Sequence, residues 1–258
     1  MTGAGGPILR VEGLSGGWEG EQILRDVSLD VRRGEVLVVA GRSGCGKSTL
    51  MGYLIGLAEP WSGRVVFDGR SIWESPEVLK ASRLRWGVTF QSGAMLANLS
   101  LLENVILPIR EYTCLSEREM ELAAYSKLEL VGLSDFADSS PMEVSGGMQK
   151  RAGLARAMAL DPEVLFFDEP SAGLDPVTSA QLDALILSIN RSLGTTVVIV
   201  THELASIYAI SDRVVMLDTE VRGIIAEGTA AGLRDTSTDP RVLAFFRRET
   251  GADAERGG

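Results

Sequence analysis

The fold is decided by Val36-Leu37-Val38-Val39-Ala40-Gly41-Arg42-Ser43-Gly44-Cys45-Gly46-Lys47-Ser48-Thr49. Its apolar, largely β-branched start, its glycine-rich middle and the helical pattern from Lys47 onward predict a strand, a loop and a helix in that order. Gly41, Gly46, Lys47 and Ser48 fit the spacing G-x-x-x-x-G-K-[ST]. Glycines let backbone N–H groups turn inward, and a helix N-terminus adds unsatisfied amides and a positive dipole end. The stretch therefore predicts a site for the phosphates of a nucleoside triphosphate.

Two polar side chains of this loop have distinct predicted roles. Lys47 would place a positive charge on the β- and γ-phosphates, and the Ser48 hydroxyl would be a ligand of Mg²⁺. The alternative is a glycine-rich turn with a solvated lysine, which the agreement of strand, loop and helix disfavours. Cys45 is either a redox-sensitive thiol or a small residue that fills a loop position. Its separation from Cys114, the second of two cysteines, indicates reduced thiols and not a disulfide framework.

Composition limits the classes of function. The chain has 258 residues and 45% hydrophobic content, enough for a sizeable core. Its net charge of −10 argues against the basic face of a nucleic-acid-binding protein, so no nucleic-acid partner is expected. No apolar run approaches the roughly 18 residues that a membrane span needs, and the N-terminus lacks the pattern of a signal peptide. We therefore expect a protein that stays in the cytosol.

Charged side chains follow two further apolar runs. Asp168 and Glu169 come directly after residues 164–167, and His202, the one histidine of the chain, comes just after residues 196–200. Open α/β sheets bind ligands at the carboxyl ends of their strands. We therefore expect the aspartate to hold Mg²⁺ through water, the glutamate to orient or deprotonate the attacking water, and the histidine to contact the γ-phosphate. The competing interpretations are a solvated acidic turn and a surface histidine.

A second anion site is predicted where Ser145 precedes Gly146 and Gly147. The serine is a candidate N-cap, the two glycines expose the amides of the first helical turn, and Lys150 and Arg151 would add positive charge. A capped helix start without a ligand is the alternative. The phosphate loop upstream favours the anion site.

The remaining chain predicts a β subdomain, a helical insert and a tail. Residues 8–11 and 23–31 alternate like antiparallel strands around a turn that carries Trp18, which either stacks on a base or packs. Helical patterns over 101–110 and 116–131, the second with a capping box, interrupt the strand–helix alternation. In the tail, Phe245 and Phe246 either close the core or form a docking patch, and residues 251–258 are predicted to be disordered.

Taken together, residues 8–233 resemble the ATP-binding subunit of an ABC transporter. The resemblance implies an α/β fold with a RecA-like P-loop core, an N-terminal antiparallel β subdomain and an inserted helical subdomain. It implies an ATPase domain over residues 8–235, with the insert at about 93–159, and a C-terminal tail with a short amphipathic helix over 236–258. One departure is Met148, where most members carry glutamine, but the backbone amides of that turn are unaffected.

The resemblance also implies ATP and Mg²⁺ as cofactors and assigns roles to individual residues. Catalysis would use Glu169, His202 and Gln91, and the metal ligands would be Ser48, Gln91 and Asp168. Trp18 would stack on adenine. The other nucleotide contacts would be Gly41, Arg42, Ser43, Gly44, Cys45, Gly46, Lys47, Ser48, Thr49, Ser145, Gly146, Gly147 and Asp175.

In this family two ATPase subunits pair head to tail, so the resemblance implies a homodimer in which Ser145 and Gly147 close on ATP held by Lys47 of the other copy. It also implies integral-membrane permease subunits and a peripheral position on the cytoplasmic face of the bacterial inner membrane.

Within the family the chain resembles the ATPases of Mla-type lipid transporters, which work with Mce-domain proteins. The alternatives are another ABC import or export system and a non-transport ABC ATPase. The residues that carry the Mla resemblance are Phe90-Gln91-Ser92-Gly93-Ala94, Glu103-Asn104-Val105, Leu107-Pro108-Ile109-Arg110-Glu111, Leu115-Ser116-Glu117 and Ser145-Gly146-Gly147-Met148.

Overall fold

The structure is a computed structural model that describes residues 6–91 and 93–247. Ser92 lies outside the described residues. Residues 251–258, for which the sequence predicts disorder, lie outside them as well. In chain order the strands are β1 (Leu9–Trp18), β2 (Glu21–Val31), β3 (Val36–Ala40), β4 (Ser62–Phe67), β5 (Arg70–Ser71), β6 (Trp86–Thr89), β7 (Val164–Asp168), β8 (Thr196–Val200), β9 (Arg213–Asp218) and β10 (Gly223–Gly228). The α-helices are α1 (Lys47–Leu54), α2 (Pro76–Arg83), α3 (Leu101–Tyr112), α4 (Glu117–Leu130), α5 (Gly146–Ala157), α6 (Pro176–Leu193), α7 (Leu204–Ile210), α8 (Ala230–Thr236) and α9 (Pro240–Arg247).

The larger sheet brings the ends of three strands to one edge. Its strand order is β10-β9-β3-β8-β7-β6, and only β10 runs antiparallel to its neighbour. Every residue of β3 and β8 is buried, as expected for parallel strands covered on both faces. Val39 pairs with Val200, and Val200 pairs with Asp168. The loops that follow β3, β7 and β8 therefore leave the sheet at the same edge.

The smaller sheet is antiparallel and has the order β2-β1-β4-β5, which confirms the N-terminal β subdomain. The expected turn around Trp18 is wrong, because β1 extends to Trp18 and only Glu19 and Gly20 form the turn. Gly16 is a strand residue that lets a side chain approach closely. A Cβ there would lie 2.3 Å from the Tyr53 hydroxyl of helix α1. This packing sets Trp18 at the end of a strand beside the phosphate loop.

Four charged side chains connect the smaller sheet to the core. Arg33 and Arg85 each pair with both Asp68 and Glu163, and the Arg85 guanidinium also lies 4.6 Å from the ring centre of Phe67. The two arginines hold the pKa of each carboxyl below its usual range. The cluster joins the turn after β4 to the starts of β6 and β7, and so fixes the subdomain relative to the larger sheet.

Helices α3, α4 and α5 lie between β6 and β7, where the sequence predicts an insert. The capping box at the start of α4 is present, since the Glu119 carboxylate accepts the Ser116 backbone N–H at 2.7 Å. Helix α2 was not anticipated, although Ser75 and Pro76 are a favourable N-cap and first residue. The boundaries of the ATPase domain remain a prediction.

The C-terminal helix α9 packs on the core. Phe246 is 3% exposed, Phe245 is partly buried against the same core, and the Tyr208 hydroxyl donates to the Phe246 carbonyl at 3.2 Å. These contacts favour core closure over a docking patch. No helix within residues 6–91 and 93–247 is long and apolar enough to cross a membrane.

Candidate nucleotide site

The loop between β3 and α1 wraps around the amine of Lys47. The Lys47 Nζ donates to the carbonyls of Gly41 and Arg42 at 3.0 and 3.1 Å, and the residue is 7% exposed. Gly41 has φ of 148°, and a Cβ there would lie 2.5 Å from the Cys45 Sγ and 2.6 Å from the Leu217 carbonyl oxygen. Glycine is therefore required at that position for the loop to close over the end of the neighbouring strand β9.

Cys45 lies beneath this loop. It is 2% exposed, and burial raises the pKa of its thiol. Both observations favour the small residue that fills space over the redox-sensitive thiol, because a reactive cysteine needs access and a stabilised thiolate. Arg42, Ser43 and Gly44 of the same loop are exposed.

The Ser48 hydroxyl and the Asp168 carboxylate meet at the carboxyl edge of the sheet. The Ser48 Oγ lies 3.3 Å from the Asp168 Oδ1. Burial raises the pKa of Asp168, and the hydrogen bond from Ser48 opposes that rise. A hydroxyl and a carboxylate, with the side-chain amide of nearby Gln91, are the oxygen ligands that Mg²⁺ prefers. The donor set therefore fits the expected cation.

Glu169 is held by the residues that follow the adjacent strand β8. Its Oε1 lies 2.8 Å from the His202 Nδ1, and its Oε2 accepts the Thr201 hydroxyl at 3.1 Å. The Glu169 backbone has φ of 48°, in the left-handed region that side-chain-bearing residues rarely adopt. Such strain persists only where surrounding contacts fix it, and it is frequent at functional sites. The structure thus brings together the predicted base and the predicted histidine.

Thr201 is a site residue that the sequence did not reveal. It is fully buried, and its Oγ1 also accepts the Glu203 backbone N–H at 3.1 Å. Because the Thr201 oxygen accepts the hydrogen bond from the Glu203 N–H, its single hydroxyl proton can be donated to Glu169. The only sequence signal is its position after β8, which is shared with many structural threonines.

A cavity of about 400 Å³ is lined by Lys47, Ser48, Glu169 and His202, among other residues. Trp18 is 52% exposed at its rim, and its Nε1 donates to the Thr49 Oγ1 at 3.1 Å. The indole is thereby anchored while much of its surface stays free for a planar ligand. The residues that line the cavity are Trp18, Ile23, Ser43, Gly44, Gly46, Lys47, Ser48, Thr49, Gln91, Glu169 and His202.

Seven predicted nucleotide contacts do not line this cavity. Three of them, Gly41, Arg42 and Cys45, belong to the phosphate loop itself. The other four are Ser145, Gly146, Gly147 and Asp175. The Ser145 hydroxyl accepts the Met148 backbone N–H at 3.3 Å, so the predicted N-cap of α5 is present. The Asp175 carboxylate accepts the backbone N–H groups of Val177 and Thr178 at the start of α6. Ser145 and Asp175 are thus the N-cap residues of helices α5 and α6.

The prediction that Lys150 and Arg151 add positive charge to the anion site at Ser145 is wrong. Lys150 turns back to the carbonyls of Pro170 and Ala172, and the Arg151 guanidinium reaches the Val131 carbonyl at 3.5 Å. Side chains four or more residues into a helix lie past its first turn, so these two bind carbonyls on the flanks of α5 and not a ligand at its end.

The fold and the cavity define a P-loop nucleotide-binding cassette, and comparison with known proteins gives the family. The model of the ABC transporter family matches residues 24–172, more than half of the chain. The chain belongs to the ABC transporter family.

Similar proteins of known sequence include two transport ATP-binding proteins. The chain is 43% identical over 213 residues to the probable ribonucleotide transport ATP-binding protein mkl of Mycobacterium leprae. The matched region covers 82% of this chain and 61% of that protein. It is 39% identical over 233 residues to the intermembrane phospholipid transport system ATP-binding protein MlaF of Haemophilus influenzae, with coverage of 90% and 87%. The match thus spans less than two thirds of mkl and most of MlaF.

Solved structures share the fold. The cbiO1 protein of Clostridium perfringens, part of the ABC transporter complex cbiONQ, superimposes with a TM-score of 0.81 at 26% identity, covering 97% of this chain and 98% of that one. The ABC transporter cassette MJ0796, solved as a dimer, gives a TM-score of 0.77 at 29% identity, with coverage of 86% and 98%. These matches confirm the predicted fold class.

Proposed function

We propose that this chain is the ATP-hydrolysing subunit of a membrane ABC transporter. The observation that carries the proposal is the convergence of Lys47, Ser48, Glu169 and His202 on one cavity with an exposed tryptophan at its rim. Trp18 stacks on the adenine, the loop binds the phosphates, and Ser48, Asp168 and Gln91 hold Mg²⁺. A cation held there would neutralise phosphate charge.

Glu169 is the proposed general base. Its carboxylate orients and deprotonates the water that attacks the γ-phosphate, and His202 contacts that phosphate while it fixes the Glu169 Oε1. The geometry supports this pairing, because the Glu169 carboxylate lies within hydrogen-bond distance of both His202 and Thr201. Ser145, Gly146, Gly147 and Asp175 complete the site in a second copy of the chain, in a head-to-tail homodimer.

The proposed cargo is phospholipid or another lipid. The likeness to MlaF over 87% of its length supports this, as does the Mla-type sequence around the Gln91 loop and the helical insert. The chain would work with permease subunits and an Mce-domain partner on the cytoplasmic face of a bacterial inner membrane. The likeness to mkl favours a second candidate, transport of ribonucleotides.

Reconstitution separates the two cargoes. The chain is purified from solubilised membranes with the permease that accompanies it and placed in liposomes that contain a fluorescent phospholipid or enclose radiolabelled ribonucleotide. We expect MgATP-dependent movement of the phospholipid alone. ATP-dependent ribonucleotide movement would replace the lipid proposal by the second candidate, and co-purification with an amino-acid permease would contradict both.

Thr201→Val tests how the base is held. Valine has the shape of threonine without the hydroxyl, so Glu169 loses one of its two anchors, and we expect the kcat for ATP to fall about tenfold or more, since a hydrogen bond to a charged group contributes about 1.5–3 kcal/mol. The affinity for ATP should stay unchanged. Thr201→Ser keeps the hydroxyl and is the matched control, expected to hydrolyse ATP near the wild-type rate. Equal kcat values for the valine and serine variants would contradict the role of the hydroxyl.

A further inference from the structure

A partly buried lysine joins helix α5 to the loop after Glu169. The Lys150 Nζ donates to the Pro170 carbonyl at 2.7 Å and also to the Ala172 carbonyl. Burial lowers the pKa of Lys150, and the charge of Glu169 acts against that change. Removing an ammonium group from water costs free energy unless its donors find acceptors. Two matched carbonyls on one loop therefore make this a specific connection between the two elements.

The loop that Lys150 binds sets the position of Glu169. It is a series of short turns, in which the Ala172 N–H donates to the Glu169 carbonyl at 3.1 Å and the Leu174 N–H to the Ser171 carbonyl at 3.1 Å. Lys150 binds the carbonyls on both sides of Ser171. The Glu169 backbone at the start of these turns is in the left-handed region. Its unusual geometry therefore depends on a loop that is fixed to α5.

The other end of this connection is the exposed N-terminus of α5. Ser145 and Gly146 are exposed, whereas Gly147 packs against α6, where a Cβ would lie 2.5 Å from the Thr178 Cγ2. About 6 Å of rigid helix separates Gly146 from Lys150, at about 1.5 Å per residue. A small displacement of the N-terminus is thus passed to Lys150 without an intervening flexible joint.

We propose that Lys150 couples the two nucleotide sites of the dimer. A nucleotide held by the partner copy would set α5 through the exposed Ser145 and Gly146, and α5 would set Glu169 of its own chain through Lys150. Lys150 is a positioning residue, because it acts through the loop and does not touch the nucleotide. This inference rests on the proposed function as a dimeric ATPase.

The test compares ATP hydrolysis by the full-length wild-type chain, Lys150→Met and Lys150→Arg over a range of ATP concentrations. Methionine keeps the length and packing of the side chain without its donors, and arginine keeps the donors. We expect a wild-type Hill coefficient clearly above 1 and at most about 2, the limit for two sites. A wild-type value of about 1 would overturn the proposal. For Lys150→Met we expect a Hill coefficient near 1 and a kcat about tenfold lower. Lys150→Arg should recover part of both.

The outcomes separate coupling from a structural role. A kcat that falls while the Hill coefficient stays at the wild-type value would mean that Lys150 only supports its own site, and would overturn the proposal. Wild-type kinetics in Lys150→Met would do the same. Melting temperatures show whether the variants fold. If the methionine variant does not, Lys150→Leu, which also lacks donors, replaces it with the same expectations. A wild-type chain without ATPase activity would instead remove the proposed function, and the inference with it.

Discussion

Replacement of Glu169 by glutamine is expected to abolish ATP turnover while leaving ATP binding intact. Glutamine has the same shape and can still accept the Thr201 hydroxyl, but it does not take up the proton of the attacking water. A positioned general base contributes on the order of 10²–10⁴ in rate, so kcat should fall about a thousandfold. Phosphate release measures kcat, and the change in tryptophan fluorescence on titration with a nucleotide measures binding.

Glu203→Gln is the matched control for this experiment. The Glu203 Oε1 lies 3.6 Å from the His202 Nε2, so this carboxylate shares the same imidazole without contacting the cavity. If Glu169 acts as the base, Glu203→Gln should keep turnover near the wild-type rate. If the only contribution of Glu169 is its charge next to His202, the two variants should be impaired alike. Wild-type turnover in Glu169→Gln would show that the base is another group.

The sequence predicted those parts of the site that depend on local pattern. Strand β8 is predicted over 196–200 and is observed there. All five residues are buried, as expected for a parallel strand that is covered on both faces of the sheet. The phosphate loop follows from the fixed spacing of its glycines. The meeting of Glu169 with His202 follows from parallel strands whose carboxyl ends share one edge. These features are set by chain order and periodicity alone.

Contacts between distant residues were not predictable in the same way. Thr201 bonds to Glu169, which lies 32 positions away, and Lys150 bonds to Pro170, 20 positions away. Nothing in the local sequence distinguishes these side chains from a strand-end threonine or a solvated helical lysine. Their roles depend on how β8 and α5 pack against the loop after β7. The left-handed backbone of Glu169 likewise has no local signature, since glycine or asparagine is the usual residue there.

Gly146→Glu tests whether the second half of the site comes from another copy. In the single chain, a Cβ at Gly146 meets nothing within 4 Å, and a carboxylate in the first turn of α5 is favourable for the helix dipole. The fold should therefore be as stable as the wild type. In the head-to-tail dimer the same carboxylate would face the γ-phosphate of the partner's ATP. Like charges at an interface cost several kcal/mol, so ATP turnover should fall at least about a hundredfold with ATP binding by the single chain unchanged.

Mixing this variant with Lys47→Ala makes the test decisive. A dimer of either variant alone has two defective sites. In the Lys47→Ala dimer both phosphate loops lack the lysine, and in the Gly146→Glu dimer both α5 N-termini carry the repelling carboxylate. A mixed dimer combines the intact loop of the Gly146→Glu chain with the intact α5 of the Lys47→Ala chain, and so contains one complete site. Since half of the dimers are mixed, up to about a quarter of the wild-type rate should return. Folded variants that show no recovery on mixing would mean that α5 does not complete the site in trans.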